Sequence, residues 1–325
     1  MKLFTNINSC KESWDKVKTN DFVHSSFLEI FYTNHPKIKH LFMCDTDTRL
    51  YAHIFELNFV KTANYINNKL LGFFIKFIKF DVLYLTNSFI TNIPAFLSNK
   101  QIDLKEFLSL VKYNYSLLVI PDFVFKNITA NKKEFSKVEV EQEMILEISD
   151  RWVLLDSYIS DLKNKYQKKV IKIINSTNKI EVKSLSPDDL IFYADNIQDL
   201  FNQVINESRF NGPLFNTTSF SLLVQKDIFK VYGYFLDDDL IAFSSEIYQD
   251  EILYSYYAGF DKSLNKNYPI YGRLLIETIN NAIKLKVSKV VFGRTANEFK
   301  SNFGAIPIRS FIYVKLKNKY LNILL

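Results

Sequence analysis

The second half of the chain is the part whose fold is most constrained, because its strand and helix signals follow a definite order. A strand signal, KIEVKSL, begins at Lys179 and is followed by residues 186–189, SPDD, which supply a helix N-cap, a proline at the first helical position and two first-turn acids. Three β-rich runs come next, separated by DDD and QDE, which favour turns. A long helix after Pro269, a buried strand (SKVVFGRT), a short helix and a last strand complete the order β-α-α-β-β-β-α-β-α-β. This order predicts a mixed α/β sheet with an antiparallel first half and a crossover helix.

The rest of the chain supplies a second α/β region and a helix between the two. Strand-like and helical segments alternate from about Phe22 to Phe125. Apolar residues then recur every three or four positions from Trp152 to Ile173, which predicts an amphipathic helix. We therefore predict an N-terminal domain over 1–149, a connecting basic amphipathic helix over 150–178 and a C-terminal domain over 179–325.

The connecting helix has a basic face, which carries Lys163, Lys165, Lys168, Lys169 and Lys172. One interpretation is a solvated face near a helix C-terminus, where cations are favoured. Another is a contact for an anionic substrate, and a third is an RNA-binding surface that continues into a wider basic groove.

Charge and residue usage limit the classes of function. The net charge of +6 over 325 residues is smaller than the excess of positive charge that is typical of DNA-binding proteins. It nevertheless permits a phosphorylated cofactor or tRNA as a partner. Both cysteines and all four histidines lie in the first 53 residues. This excludes a Cys–His nucleophile pair and a Cys/His zinc site in the C-terminal part, and we expect no metal.

Two features predict where the protein resides. Two cysteines in a chain of this length do not make a disulfide framework, which is typical of a reducing cytoplasm. The most apolar segment, residues 70–85, is interrupted by Lys76, Lys79 and Asp81 and is too short and too charged to span a bilayer. We therefore expect a soluble, cytoplasmic protein without a transmembrane segment.

Two local patterns accompany the order of elements. The connecting helix contains a W…Y…L…K pattern at Trp152, Tyr158, Leu162 and Lys165, and the strand that ends at Gly293 is followed by FKSNFGA at 299–305. Together these features resemble the FemAB-like branch of the GNAT acyltransferase superfamily. The resemblance covers residues 150–315 and extends weakly to the first 150. It implies an α/β fold of two tandem GNAT-like domains, each a mixed central sheet flanked by helices, with the C-terminal domain catalytic.

The resemblance also implies an activity. GNAT enzymes move an acyl group from acyl-CoA to an amine, and Fem-type relatives use aminoacyl-tRNA to extend peptidoglycan precursors. The expected function is N-acyl transfer to an amine, either a small molecule or a cell-envelope precursor, and the alternative is a non-catalytic GNAT-fold binding scaffold. One departure concerns the donor: the GNAT pyrophosphate loop, Q/R-x-x-G-x-G/A, is replaced by KNYPIYGRLL, which offers only Gly272 and Arg273. This shifts the expectation from acyl-CoA toward aminoacyl-tRNA or an unusual donor.

Two residues are implied at the reaction centre. Lys300, the lysine of the FKSNFGA motif, is assigned there in Fem-type transferases, and an ammonium stabilises developing negative charge. Glu246 lies on the central strand of the three-stranded meander, where GNAT enzymes often place a general base. The alternative for Lys300 is an ordinary surface lysine, and the alternative for Glu246 is a carboxylate on a solvent-facing side of the sheet.

The resemblance implies several binding residues. The donor would contact the strand marked by Tyr254, Tyr256 and Tyr257, whose side chains have core packing as the alternative role. It would also contact the start of the long helix at Gly272 and Arg273. Arg209 occupies the place where Fem-type relatives direct an arginine toward the acceptor's anionic group. Arg294 follows a strand that leads into the cleft and is suited to a phosphate or carboxylate, with a structural ion pair as the alternative.

The other residues near Lys300 have structural interpretations. Thr295 and Glu298 fit a capping box, in which the threonine is the N-cap and the glutamate lies three residues on. Phe299 and Phe303 are one helical turn apart and are predicted core anchors.

Overall fold

The computed structural model describes residues 1–17, 20–58, 79–90, 93–206 and 212–318. The chain divides into two compact units, and neither is continuous in sequence. Unit 1 comprises Met1–Val140, Ser208–Asn216 and Ser310–Leu325, and unit 2 comprises Glu141–Glu207 and Thr217–Arg309. The domain limits given from the sequence stay a prediction.

Unit 1 is a mixed sheet with helices on its faces. Its strands are β1 (Lys2–Phe4), β2 (Lys39–Cys44), β3 (Thr48–Asn58), β4 (Lys79–Leu85), β5 (Phe96–Ser98), β6 (Ile102–Asp103), β7 (Leu117–Pro121) and β8 (Ile128–Thr129). Its helices are α1 (Lys11–Asp15), α2 (Ser25–Asn34), α3 (Leu104–Leu110) and α4 (Asp122–Phe125). The main sheet runs β1-β2-β3-β4-β7, with β5 on β3, and β6 pairs with β8 separately. Only the β4–β7 pair of this main sheet is parallel among the described strands.

Unit 2 repeats this plan. Its strands are β9 (Ser136–Glu147, in this unit from Glu141), β10 (Glu181–Ser184), β11 (Phe229–Leu236), β12 (Asp239–Gln249), β13 (Ile252–Phe260) and β14 (Lys289–Gly293). Its helices are α5 (Leu155–Asp161), α6 (Asn164–Ser176), α7 (Pro187–Phe192), α8 (Ala194–Ile205), α9 (Phe220–Leu223), α10 (Ile270–Leu285) and α11 (Asn297–Ser301). The sheet order is β9-β14-β13-β12-β11-β10, and β13–β14 is the parallel pair. The mixed α/β fold class is thereby confirmed.

The last strand of the sequence completes unit 1. Strand β15 (Ile306–Leu316) pairs antiparallel with β7, from Ile312 opposite Pro121 to Leu316 opposite Leu117. The corresponding place beside β14 in unit 2 is taken by β9, with Lys289 opposite Glu147. In each unit this strand lies far in sequence from the strand that it pairs with, β15 from β7 and β9 from β14.

Local chemistry explains the hairpins and the first helix of the repeat. Asp237 and Asp238 both have positive φ, 51° and 68°, and so do Asp250 and Glu251 at 50° and 60°. Paired left-handed residues suit the tight turns that join twisted antiparallel strands. The Ser186 hydroxyl accepts a hydrogen bond from the Asp189 amide, and the Asp189 carboxylate accepts one from the Ser186 amide. The predicted N-cap is therefore confirmed.

The region predicted as one connecting helix contains two. Leu162 and Lys163 have ψ of 148° and 141°, which interrupts the helical hydrogen bonds between α5 and α6. Both helices nevertheless bury apolar residues in the same core, including Tyr158, Val170 and Ile173. The apolar periodicity therefore persists across a break in the backbone.

No helix within the described residues is long and apolar enough to cross a membrane. Part of the apolar segment 70–85 lies outside those residues. Its described end is β4, whose Val82, Leu83 and Leu85 are buried.

Candidate active site

The parallel strands of unit 2 separate after a short contact. Ile252–Tyr254 pair with Lys289–Val291, and β13 then continues to Phe260 beside β12. From Ser255 onward, the edge of β13 that faces away from β12 has no strand partner among the described residues. Backbone groups on an unpaired strand edge are available to an extended ligand.

Unit 1 has the same pair of parallel strands but not the same open edge. Val82–Tyr84 pair with Leu117–Val119, and β4 ends one residue later, at Leu85. Thr86 has a φ of 129°, and its hydroxyl accepts a hydrogen bond from the amide of Ala95 at 2.7 Å. The chain thus turns back at the point where the strands of unit 2 diverge. The candidate site therefore lies in unit 2.

The turn after β14 is strained. Gly293, Thr295 and Ala296 have φ of 70°, 70° and 51°, a left-handed conformation that is unfavourable for the two residues with side chains. Such strain persists where surrounding structure maintains it, and it is frequent at functional sites.

The capping-box prediction for this turn is wrong. Helix α11 begins at Asn297, so its N-cap is Ala296, which has no side chain able to accept a hydrogen bond. Thr295 is one residue too early to serve as the cap, and both Thr295 and Glu298 are exposed. Phe303 is fully buried and Phe299 packs beside it, so their predicted role as core anchors is confirmed.

Lys300 is the residue that holds this turn. Its side chain is 3% exposed, and its Nζ donates to the carbonyl oxygens of Phe292, Gly293 and Arg294 at 2.9, 3.3 and 2.9 Å. These three bonds use every N–H of the ammonium. Burial lowers the pKa of Lys300 to about 8, against the opposing effect of Glu141 and Glu143 on β9. The alternative of a surface lysine is therefore wrong.

The same turn contains two buried polar atoms without a partner. Arg294 Nε and Asn297 Oδ1 are buried, and neither forms a hydrogen bond within the described chain. A buried donor or acceptor that is left unpaired costs about 1–3 kcal/mol, so such atoms are rare unless a ligand completes them. The turn thus offers one donor and one acceptor to a bound molecule.

Tyr254 and Glu143 lie near the end of β14. Tyr254 was identified from the sequence as one of the tyrosines that mark the donor strand, whereas Glu143 was not. Tyr254 is the last β13 residue that pairs with β14. Burial, followed by the charge of Glu143, raises the pKa of Tyr254 to about 12. The charge of Glu143 also opposes the lowering of the pKa of Lys300. The sequence predicts the strand VEVEQEMILEI, but nothing in its alternation distinguishes Glu143 from its neighbours.

Glu246 lies in a different environment. Its carboxylate accepts hydrogen bonds from Asn281 Nδ2 at 3.2 and 3.1 Å and from Thr278, both on α10, and it is only 2% exposed. The alternative of a solvent-facing carboxylate is therefore wrong. Burial raises the pKa of Glu246 to about 8. None of these contacts joins it to the turn at 293–297.

Replacing Glu246 with glutamine should stabilise the protein at alkaline pH. Between its ordinary pKa of 4.5 and the folded value of about 8, the unfolded chain ionises Glu246 while the folded chain keeps the proton, so stability falls as pH rises. Glutamine removes this effect, and the variant should be more stable by about 1–3 kcal/mol at pH 9 but unchanged at pH 4. Urea unfolding at both pH values measures the difference. Equal stabilities at pH 9 would show that the folded state ionises Glu246 readily.

Tyr256 and Tyr257 lie on the open-edged strand. Their rings are 4.2 Å apart and they share a hydrogen bond, with Phe229 and Phe201 packed beside them. The hydroxyl of Ser245, at a bulge in β12, accepts from the Tyr257 amide at 2.9 Å and donates to its carbonyl at 2.8 Å. Both tyrosines are thus held firmly, and their contact with a donor stays a prediction.

The start of α10 is occupied by protein groups. The backbone of Gly272 lies so close to Ile173 that a Cβ there would be 2.7 Å from Ile173 Cδ1. Arg273 forms an ion pair with Glu277 at 2.6 Å, and the Tyr271 amide donates to Asn265 Oδ1 at 3.1 Å. The structure does not bring Gly272 or Arg273 together with the turn, and their predicted contact with a cofactor stays a prediction.

The remaining predicted contacts lie elsewhere. Arg209 falls in residues 207–211, outside the described part of the chain. Lys169 stands over the ring of Phe299 at 4.8 Å, beside a groove of about 570 Å³ between α6 and α11. In the described part of the chain no group of three or more His, Cys, Asp or Glu side chains is arranged to hold a metal ion.

Comparison with known proteins assigns this fold to a class. Residues 205–301 match the family model described as an acetyltransferase (GNAT) domain, a stretch that includes β13, β14 and the turn. No curated protein sequence matches the chain.

Solved structures align over nearly the whole chain. L-PGS from Bacillus licheniformis matches with a TM-score of 0.59 and 9% identity over 98% of this chain and 96% of its own. The C-terminal domain of a lysylphosphatidylglycerol synthetase from Agrobacterium fabrum gives 0.57 and 8% over 98% and 95%, and FemX gives 0.54 and 8% over 100% of both chains. At these identities the likeness concerns the fold alone.

Proposed function

We propose that this protein is an N-acyltransferase that moves an acyl or aminoacyl group from an activated carrier to an amine, with its reaction centre in unit 2. The single observation that carries the proposal is the pair of buried, unpartnered atoms, Arg294 Nε and Asn297 Oδ1, in a strained turn. This turn ends β14 beside the open edge of β13, inside the segment that matches the acetyltransferase family.

The reaction requires four changes at the acyl carbon. The amine nitrogen forms a bond to the carbonyl carbon, negative charge develops on the oxygen, the bond to the carrier breaks, and one proton passes from the amine to the departing carrier atom. Effective catalysis therefore needs a proton acceptor, a proton donor and a rigid frame that aligns both substrates.

Residues on the elements around the turn would take these roles. Glu143 on β9 is a carboxylate whose charge acts on both Tyr254 and Lys300, and it would accept the proton of the amine. Tyr254, whose pKa is about 12, stays protonated at neutral pH and would donate to the departing atom. Lys300 would act by fixing the three carbonyl groups that shape the end of β14. Glu246 remains a second candidate for proton acceptor at alkaline pH, where its carboxyl group is ionised.

The acceptor's charge is the proposed target of Arg294. An arginine Nε–H pairs well with a carboxylate or phosphate oxygen, and Asn297 Oδ1 accepts an N–H of the same molecule. An acceptor with an anionic group near its amine, such as an amino-acid-bearing cell-envelope precursor, has both. The likeness to a lysylphosphatidylglycerol synthetase supports the anionic part of this proposal, because phosphatidylglycerol has a phosphate group.

The proposed donor is an aminoacyl-tRNA in preference to acyl-CoA. The amides at the start of a helix bind the pyrophosphate of a nucleotide when they are free. Here Asn265 occupies the Tyr271 amide and Tyr268 O accepts from the Ile270 amide at 2.6 Å. Because the glycine-rich loop is also missing, the site lacks the usual features for the CoA pyrophosphate.

Replacing Arg294 with glutamine should lower kcat/KM for transfer by roughly 10- to 100-fold, because one charge-assisted hydrogen bond to the acceptor is lost. Transfer is measured with labelled aminoacyl-tRNA and acyl-CoA donors against a panel of amines with and without anionic groups. The control is Arg151→Gln, since Arg151 is an exposed arginine of unit 2 that pairs with Asp161. Equal losses in both variants, or none in Arg294→Gln, would remove Arg294 from the site.

A non-catalytic binding scaffold is the second candidate. It is favoured by the closed environment of Glu246 and by the complete pairing of Lys300, which leave neither group free at the open edge. A scaffold would gain thermal stability from a donor without consuming it. Turnover of any donor in the panel rejects this candidate.

A further inference from the structure

A cluster of three buried histidines in unit 1 holds a segment that is distant in sequence. His35 ends helix α2 and is 6% exposed. Its Nε2 accepts a hydrogen bond from the backbone amide of Asn216 at 3.0 Å, and the Asn216 side chain donates to the carbonyl of Asn34 at 3.3 Å. Residues 212–216, here called the strap, are the described residues that follow Arg209, and they belong to unit 1.

An aromatic cage completes the attachment. Phe215 is 3% exposed, and its ring centroid lies 5.7 Å from that of His35 and 6.1 Å from that of Phe89. The rings of His35 and Phe89 are themselves 4.1 Å apart. His35 therefore holds the strap both by a hydrogen bond and by ring contact.

The hydrogen-bond partners of His35 fix its protonation state. A backbone N–H can only donate, so Nε2, which faces the amide of Asn216, carries the lone pair. A carbonyl can only accept, so Nδ1, 3.0 Å from the oxygen of Phe31, carries the proton. A second proton on Nε2 would place two donors against each other. The strap contact is therefore compatible only with the neutral ring.

In the part of the chain that the structure describes, the groups around His35 offer no acceptor for an added proton. His40 Nε2 faces the His35 carbonyl at 3.2 Å and so must donate, which leaves His40 Nδ1 to accept from the Tyr51 hydroxyl at 2.7 Å. The Tyr51 oxygen then accepts from His53 Nδ1 at 3.0 Å, and His53 Nε2 accepts from Ser88 at 2.7 Å. Among the described residues, the titratable groups that face the cluster are thus His40, Tyr51 and His53, together with Tyr32 of α2 beside His40 and Tyr84 of β4 beside His53, and none is acidic.

We propose that His35 is a positioning residue whose neutral ring holds the strap in place, and that protonation of His35 releases the strap. Any consequence for acceptor binding rests on the proposed function, because the strap follows Arg209 in sequence and Arg209 is a predicted acceptor contact. The latch itself does not, since it depends only on contacts within unit 1.

The direction of the pH effect follows from burial. Burial lowers the pKa of His35 below its ordinary 6.5, lowers that of His40 to about 4 and lowers that of His53 further below its ordinary value. The folded state thus favours the neutral ring. The strap contact is complete above pH 6.5 and weakens as the pH falls below it.

Hydrogen exchange of the full chain tests the latch without a substrate. The readout is the protection factor of the Asn216 amide, compared between about pH 7.5 and about pH 5, the range in which histidine changes charge. In the wild type we expect protection to fall by roughly tenfold or more at the lower pH, the equivalent of one lost hydrogen bond. His35→Ala should be unprotected at both values.

Two further variants separate titration from packing. In His35→Gln the side-chain oxygen can accept from the Asn216 amide but cannot be protonated, so protection should be similar at both pH values. His24→Asn removes an exposed histidine while keeping a side-chain N-cap for α2, and it should behave as the wild type. Wild-type protection that persists until the whole unit unfolds, or a His35→Gln variant that still responds to pH, would overturn the latch. If the protection of the Asn216 amide responds to pH as expected but the protein transfers no acyl group, only the proposed function is contradicted.

Discussion

Replacing Lys300 with methionine should lower the free energy of unfolding by about 2–4 kcal/mol, one of the two largest stability effects we expect. The methylene chain of methionine fills much of the same space, but it donates no hydrogen bond. The carbonyl groups of Phe292, Gly293 and Arg294 would then lose the donor that now joins them. The loss is partly offset because a buried ammonium no longer has to be desolvated.

Urea unfolding monitored by circular dichroism measures this loss. The matched control is Lys168→Met, since Lys168 is an exposed lysine of α6 in the same unit and should change stability by less than about 0.5 kcal/mol. An unchanged free energy of unfolding in Lys300→Met would mean that the three hydrogen bonds contribute nothing. Lys300 would then be a candidate for a free cation at the reaction centre.

Replacing Gly259 with alanine should destabilise the protein by about 3 kcal/mol or more, because the new methyl group has no space. A Cβ at this position would lie 2.6 Å from the backbone carbon of Leu200 and 2.7 Å from the backbone nitrogen of Phe201, both in α8. It would also lie 2.5 Å from the ring of Phe243. Relief requires α8 to move away from β13, the strand with the open edge.

Gly293→Ala is the informative comparison for Gly259→Ala. Gly293 has a φ of 70°, but a Cβ added there would have nothing within 4 Å, so only backbone strain opposes alanine at this position. We expect a loss of about 1 kcal/mol at Gly293, well below that at Gly259. Thermal unfolding of both variants gives the ranking. A smaller loss at Gly259 than at Gly293 would mean that α8 does not lie on the strand as closely as described.

The elements that the sequence predicted well are those governed by local chemistry. The Ser186 cap, the Asp-rich hairpin turns and the three antiparallel strands each depend on residues within a few positions of one another. Their order was enough to indicate a GNAT-like fold, since few topologies accommodate it. The FKSNFGA motif, which follows the turn of the candidate site in sequence, likewise indicated the region of the chain that contains this site.

What the sequence did not predict depends on contacts between distant residues. Strand β15 pairs with β7, nearly 200 positions earlier, and the alternation of side chains within β15 does not indicate which strand it pairs with. Lys300 is buried against β14 and Glu246 against α10. The sequence alone therefore did not determine whether these two side chains are at the surface or in the interior. The capping-box pattern at Thr295 was misleading because the left-handed turn delays the start of the helix by one residue, to Asn297. Glu143 and Asn297 carry no signal apart from their place in the folded unit.

The most direct test of an acyl-transfer site at the turn of unit 2 is single-turnover transfer from a labelled donor to an amine. Wild-type protein, Arg294→Gln and Arg151→Gln are compared with aminoacyl-tRNA and with acyl-CoA. We predict that the wild type and Arg151→Gln transfer the group from aminoacyl-tRNA at similar rates, and that Arg294→Gln is slower by roughly 10- to 100-fold. Failure of the wild type to transfer from any donor, or equal rates in all three proteins, would contradict the proposed site.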